Sequence, residues 1–307
     1  MQLIRGLNGT RRPAAGCAVT IGTYDGIHLG HQALLRRLAE RAAGLGTGAA
    51  VLTFEPMPRE YLAPQDPPAR LTSLRERWRI LEPLGLQYLW VLRFGEALRN
   101  LSAEGFAQWL AREQAPRIVV VGHDFRFARN GEATAPVLAE AGRRLGFEVD
   151  VVPPVMLDGE RISSSGVRAA LACNDFERAR RWLGRPWSMR GRVVPGSRLG
   201  RDLGFPTANL SLERRRAPVA GIFAVRVRGV AGTALAGVAS LGTRPTVDGT
   251  QALLEAHVFD FDGDLYGREI EVEFVAKLRD EQRFATLDAL SAQMRADAAQ
   301  ARQILDA

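Results

Sequence analysis

The chain has 307 residues, 46% of them hydrophobic and 24% charged, with a formal net charge of +7. That length suits two domains with separate cores; no run approaches the ~18 apolar residues of a spanning helix, the N-terminus lacks the apolar core of a signal peptide, and Cys17 and Cys173 are too few for a disulfide framework. The positive balance invites a nucleic-acid partner, but Lys277 is the single lysine among 41 basic side chains, the arginines sit beside local acids (74–79, 278–283), and no basic stripe interleaves with aromatics, so they read as solvated surface.

Up to about residue 155, strand-like and helix-like segments alternate. Apolar runs at Cys17–Ile21, Ala49–Phe54, Tyr88–Leu92, Ile118–Val121 and Phe147–Val152 predict buried strands, and a helical apolar rhythm at 32–43, 73–84, 103–112 and 135–145 predicts the helices. Such alternation means βαβ units, hence an α/β domain with a parallel sheet whose ligand loops lie at the carboxyl ends of its strands. Residues 22–31, 55–61 and 122–131 are those loops.

The first loop carries the densest signal. In Thr-Ile-Gly-Thr-Tyr-Asp-Gly-Ile-His-Leu-Gly-His, residues 20–31, glycines punctuate a turn, and His28 and His31 fall where a strand feeds a helix. Free N–H groups and the helix dipole favour an anion there. Two imidazoles three apart share one face, and Gly30 leaves room for close approach. The pattern predicts a phosphate site; a chance pair and a metal site are the alternatives, although no Cys-rich or His-rich cluster follows. A P-loop is excluded because its lysine is missing, and no Gly-x-Gly-x-x-Gly occurs.

Residues 163–171 and 175–183 predict two short helices, the second N-capped by Asn174 or Asp175. Just before and within the first, Arg161-Ile-Ser-Ser-Ser-Gly-Val-Arg168 gathers hydroxyl and backbone donors with an arginine one turn on, a set able to clamp pyrophosphate beside the histidine pair. Gly184-Arg-Pro marks a boundary, giving domains 1–183 and 184–307. Beyond it, short alternating strands at Ser188–Val194, Gly221–Arg228, Leu235–Leu241, Leu253–Phe259 and Glu269–Ala276 predict an antiparallel barrel or sandwich, with an amphipathic helix at Leu287–Leu305 packed on it. Glycines 191, 196, 200 and 204 let backbone amides wrap a phosphate chain, and the Thr207 hydroxyl and Asn209 amide are hard oxygen ligands suited to Mg²⁺.

The pairing of His28-Leu-Gly-His31 with Ile162-Ser-Ser-Ser-Gly-Val-Arg168 resembles the nucleotidylyltransferase superfamily. Phe54-Glu-Pro-Met-Pro58, Arg70-Leu-Thr-Ser-Leu-Arg75 and Asp124-Phe-Arg-Phe127 narrow this to the FMN adenylyltransferase module of bacterial FAD synthetases. Gly204-Phe-Pro-Thr-Ala-Asn209 is similar to the riboflavin kinase signature, and Leu241-Gly-Thr-Arg-Pro-Thr246, the segment from Glu255 to Phe261, Leu265-Tyr-Gly267 and the segment from Leu278 to Phe284 follow in that family's order. The chain thus resembles the bifunctional prokaryotic riboflavin kinase/FAD synthetases over nearly its whole length.

The resemblance implies a Rossmann-like nucleotidylyltransferase domain followed by a small β-barrel kinase domain. It implies ATP, riboflavin and FMN as substrates, FAD as product, Mg²⁺ as cofactor, a cytoplasmic monomer or weak oligomer, and neither nucleic-acid nor membrane partners. Glu255 is implied as the base of the kinase, with His257 a neighbour on the same strand face. His28 and His31 are implied at the α-phosphate. Gly22, Thr23, Tyr24, Asp25, Gly30, Asp124, Arg161, Ser164, Ser165 and Arg168 are implied around the nucleotide phosphates of the first half, and Gly196, Gly200, Thr207 and Asn209 around those of the second. Pro56, Pro58, Tyr61, Phe127 and Arg279 are implied against flavin. Thr23 stands where the family usually has Asn, Met57 where His or Gln is common, Leu62 for an aromatic, Ser165 for Thr and Ala128 for Gly. These departures keep open a kinase with an impaired or altered-nucleotide adenylyltransferase half, and the net charge keeps open a non-enzymatic flavin-sensing or RNA-binding regulator.

Overall fold

In the computed structural model, which describes residues 1–6, 16–196, 200, 203–214, 216–246 and 249–306, contacts divide the chain into two units, Met1–Pro68 with Leu74–Ser163 and Ala69–Ser73 with Ser164–Ala307. The first unit runs β1 (Gln2–Arg5), β2 (Cys17–Ile21), α1 (Leu29–Gly44), β3 (Gly48–Phe54), α2 (Pro58–Leu62), α3 (Leu74–Leu81), β4 (Tyr88–Leu92), α4 (Glu96–Arg99), α5 (Ala103–Gln114) and β5 (Pro116–Gly122). It continues through β6 (Arg126–Phe127), β7 (Ala133–Thr134), α6 (Ala135–Leu145), β8 (Glu148–Val152), β9 (Met156–Leu157) and β10 (Glu160–Arg161).

Six of these strands form one sheet in the order β1-β4-β3-β2-β5-β8, every pair parallel. Alternate residues feed two apolar layers: Val19 and Leu52 pack with Phe106, Leu110 and Leu138, while Ala18 and Val51 pack with Leu35, Leu38 and Leu89. A sheet covered on both faces has no polar side, and so its inner strands are continuous apolar runs. β1 lies at the edge, mostly exposed, and carries no such run. From β2 the chain moves through β3 and β4 on one side, then returns to β5 on the other. Open α/β sheets bind ligands outside the carboxyl ends of the strands at such a reversal.

The second unit contains α7 (Ser164–Ala172), α8 (Phe176–Leu183), β11 (Ser188–Val194), β12 (Ala208–Ser211), β13 (Gly221–Arg228), β14 (Leu235–Thr246), β15 (Gly249–Val258), β16 (Glu269–Arg279) and α9 (Leu287–Leu305). Asp175 is the cap of α8, accepting the Arg178 N–H at 2.9 Å, while Asn174 occupies the left-handed turn before it (φ +58). The strands close into a barrel in the order β11-β12-β15-β14-β13-β16. The expected barrel-or-sandwich is therefore a barrel, with β12 added to the five strands foreseen. Ala208 and Leu210 of β12 are buried, and α9 packs across β13, β14 and β16.

Candidate active sites

The Gly22–His28 loop leaves β2 at the reversal point. Tyr24 (φ +51), Gly26 (φ +83) and Ile27 (φ +43) all take left-handed backbone, which makes the turn tight. Burial holds the two bulky residues there: Tyr24 is 1% exposed and Ile27 0%. The Tyr24 hydroxyl meets Thr20 Oγ1 at 2.5 Å, and Thr20 donates to the Val120 carbonyl at 2.6 Å. Tyr24 and the buried Asp25 thus build the loop from inside.

His28 is the N-cap of α1: its Nδ1 accepts the His31 N–H at 3.3 Å, and its carbonyl accepts the Gln32 N–H at 2.9 Å. With Nδ1 an acceptor, the proton of neutral His28 sits on Nε2. The His28 and His31 rings stack with centroids 3.8 Å apart. Burial, reinforced by His28, holds the His31 imidazole well below its usual range, and its buried Nδ1 has no hydrogen-bond partner among the described residues. Gly30 lies close to the site: a Cβ there would stand 3.1 Å from the His28 ring, which would have to give by a few tenths of an ångström.

The neighbouring loop after β5 supplies Asp124, which accepts Arg161 Nη1 at 2.7 Å, with His123 Nε2 3.4 Å from the same nitrogen. The loop after β3 begins Glu55-Pro56 with a cis peptide bond, and Pro58 opens α2. Tyr61 packs edge-on to Phe94 at 5.6 Å, and Phe127 is buried between Phe106 and Phe125. Ala128 takes φ +67, the backbone glycine favours. Ser164, Ser165 and Arg168 lie on α7 in the second unit, where Arg168 Nε donates to the Ala69 carbonyl at 2.7 Å.

In the barrel, strand register aligns Arg279, Ile222, Ser240, Glu255 and Asn209 across β16, β13, β14, β15 and β12. This row lies on the face opposite the buried Ala239 and Ala256. Arg279, Ile222, Ser240 and Glu255 of this row border a cavity of about 270 Å³ lined also by Thr207, Val238, His257, Glu281 and Phe284, with Leu290, Met294, Asp297 and Ala298 contributed by α9. Burial pushes the Glu255 carboxyl above its ordinary range, and the negative charge of Glu281 adds to that. His257 is tied back, its Nδ1 2.9 Å from the Pro206 carbonyl and its ring edge-on to Phe205 and Phe259. A second cavity, of about 640 Å³, lies on the other side of Thr207 and is lined by Pro206, Phe261, Asp262, Asp264 and Tyr266. Gly196 and Gly200 are close-approach positions: a Cβ on the first would sit 2.3 Å from Asn209 Nδ2, and on the second 2.4 Å from the Phe205 carbonyl.

One arginine assigned to solvated surface, Arg77, is placed differently, and Arg279, expected against flavin, is anchored by a partner. Arg77 is 1% exposed and binds Glu55 Oε2 at 2.8 Å, far along the chain. Arg279 makes a bidentate pair with Asp297 of α9 at 2.7–3.1 Å, and Gln293 Nε2 donates to the same carboxylate at 2.9 Å. The signal for Arg77 was its spacing, since Ser73, Arg77 and Leu81 follow one helical face and all three are buried. Ser240, Glu281 and Asp297 also escaped the sequence reading; only the register across strands and the return of α9 bring them to the cavity.

A family model for FAD synthetase matches residues 10–166, and one for riboflavin kinase matches residues 183–305. The chain is 46% identical over 306 residues to a bifunctional riboflavin kinase/FMN adenylyltransferase of Pseudomonas fluorescens, covering 99% of this chain and 98% of that one. It is 44% identical over 305 residues to the protein of the same description from Escherichia coli K12, covering 99% and 97%. A solved structure from Streptococcus pneumoniae, described as a macrolide-efflux protein, superposes with a TM-score of 0.80 at 32% identity over 97% of each chain. Among the described residues of the present chain, no helix is long and apolar enough to cross a membrane. Two family models in series and identity running end to end lead to one assignment: the chain belongs to the family of bifunctional riboflavin kinase/FMN adenylyltransferases.

Proposed function

We propose that the barrel half transfers the γ-phosphoryl group of ATP to the ribityl 5′-hydroxyl of riboflavin, giving FMN and ADP, and that the sheet half joins FMN to the AMP moiety of a second ATP, giving FAD and pyrophosphate. We place the functional boundary at 183/184, supported by the end of α8 at Gly184 (φ +70) and a riboflavin kinase match from residue 183, while contacts group α7 and α8 with the barrel. The observation that carries the kinase reading is the position of Glu255, in one row with Asn209 and Ser240 and facing a half-apolar cavity roofed by α9.

Glu255 accepts the proton of the attacking hydroxyl. Desolvation raises its affinity for that proton, which favours transfer in the transition state. Arg279, held by Asp297, is the flavin-side cation. Thr207 borders both cavities, so a phosphate chain there has the Glu255 cavity on one side and a more polar one on the other. Its hydroxyl and the Asn209 amide are neutral hard oxygens, a donor set that would hold Mg²⁺. When bound, Mg²⁺ neutralises charge that builds on the transferring phosphoryl group. Gly196 and Gly200 keep the chain close to these donors.

In the sheet half the FMN phosphate is already an anionic nucleophile, so no protein base is needed, and catalysis reduces to orienting two anions. His28 offers Nε2–H to the α-phosphate, and neutral His31, stacked on its ring, stands with it there. Gly22, Thr23, Gly30 and the α1 N-terminus shape the cradle, and Tyr24 and Asp25 support it from within. Asp124 orients Arg161 toward the leaving pyrophosphate. Pro56, Pro58, Tyr61 and Phe127 border the flavin. Partners are then small molecules alone, without nucleic acid or membrane, for a cytoplasmic monomer or weak oligomer.

Incubation with riboflavin, Mg-ATP and inorganic pyrophosphatase, followed by chromatography of the flavins, should show FMN and then FAD. Glu255→Gln should slow FMN formation ~10²- to 10⁴-fold and leave adenylylation of added FMN intact, with His31→Ala giving the reverse. Riboflavin unchanged by the wild-type protein would overturn the proposal.

A further inference from the structure

Arg77 is a guanidinium enclosed within the first unit, 1% exposed, on helix α3. Its Nη1 donates to the Thr23 carbonyl at 2.8 Å and to Thr53 Oγ1 at 3.0 Å, and its Nη2 donates to Glu55 Oε2 at 2.8 Å. Thr53 in turn donates to the same Thr23 carbonyl at 3.3 Å. Thr23 opens the loop that ends on His28; Glu55 opens the loop that runs through Pro56 and Pro58 to Tyr61. Within that second loop, Glu60 Oε2 accepts the Met57 N–H at 3.0 Å, so the segment is braced at its far end as well.

Burying a charge is costly unless it is paired and hydrogen-bonded, and a fork of fixed N–H directions is what one side chain needs to hold two separate backbone segments at once. The contacts of Arg77 run to the two loops that border the sheet half's substrates. We infer that Arg77 is a positioning residue for FMN adenylylation, one that fixes the histidine-bearing phosphate loop and the Glu55–Tyr61 loop in a single geometry. It touches neither substrate; it sets the separation of the groups that do. The inference rests on the adenylyltransferase reading of this unit. Displacements of about 1 Å transmitted from outside the reacting centre can cost ~10²-fold in rate.

The test compares wild type, Arg77→Lys and Glu55→Gln, all full length, in separate kinase and adenylyltransferase assays. Lysine keeps the charge but presents no planar fork; glutamine keeps an acceptor at Glu55 and removes the ionic partner. Arg77→Lys is expected to lower kcat for adenylylation roughly 30- to 100-fold and to raise KM for both FMN and ATP, with kinase kcat and KM unchanged. Glu55→Gln, the milder change, is expected to shift the same parameters in the same direction by about threefold to tenfold. A purely structural role would reduce the fraction of folded enzyme, which lowers apparent kcat and leaves both KM values alone; that pattern in either variant overturns the inference. Wild-type kinetics in Glu55→Gln overturn it too, even if Arg77→Lys fails to fold. Failure of the wild-type protein to adenylylate FMN would instead remove the underlying reading.

Discussion

Burial moves two groups in opposite directions here, because it always penalises the charged form. It raises the Glu255 carboxyl, with Glu281 adding to the rise, and it lowers the His31 imidazole, with His28 adding to the fall. Neutral His31 is therefore the form present at neutral pH, which suits a donor facing phosphate rather than a cation trapping it. For Glu255 the sign is set by its role: a base works only when ionised, and its proton affinity is raised. Kinase kcat should thus fall on acidification through a pKa above the usual glutamate value of 4.5. Glu281→Gln removes the second cause and should move that acid limb to lower pH, read from kcat between pH 4.5 and 8 with the adenylyltransferase profile as internal control. An acid limb unmoved by Glu281→Gln would mean that burial alone sets the shift. A base at Glu255 was an expectation from family resemblance, whereas the influence of Glu281 was not legible, since Glu281 lies beyond the end of β16 and shares a cavity with Glu255 only in the fold. Arg77 was misread for the same reason. A charge run in the segment 74–79 looks solvated unless the strand-end partner Glu55 is known.

At the level of elements, apolar runs and helical rhythm gave the parallel sheet nearly residue for residue, since its inner strands are buried on both faces. β1 and β12 escaped. β1 is an exposed edge strand, and β12 is four residues long inside a glycine- and proline-rich motif whose chemistry suggests a loop. Helix α7 shows how tertiary packing overrides propensity. Alanine normally stabilises a helix over glycine by ~0.5–1 kcal/mol. At Gly166, however, a Cβ would lie 2.0 Å from the Trp182 ring of α8, and overpacking of that kind costs ~1–3 kcal/mol. Gly166→Ala should therefore destabilise the second unit, by about 1–2 kcal/mol net, seen as a melting midpoint lowered by a few degrees. A rise in the midpoint would show that Trp182 moves aside at little cost. No periodicity argument reveals this glycine's role, because the sequence around it reads as an ordinary serine-capped helix start.

For the whole molecule, each unit has its own core and its own candidate site, and the two reactions share a single chemical link. FMN is the product of one and the substrate of the other. That link is a diffusible small molecule, and so the two activities need not reside in the same polypeptide for FAD to form. An equimolar mixture of Glu255→Gln and His31→Ala proteins, neither able to convert riboflavin to FAD alone, should produce FAD from riboflavin after a lag. During the lag, free FMN made by His31→Ala accumulates toward the KM of the adenylyltransferase in Glu255→Gln. The lag should shorten in proportion as protein concentration rises, and an added FMN-binding protein should suppress FAD while leaving FMN synthesis unchanged. If the mixture makes FMN but no FAD, while Glu255→Gln still adenylylates added FMN, then FMN stays bound where it is made. The two halves would then operate as one machine and not as two enzymes on one chain.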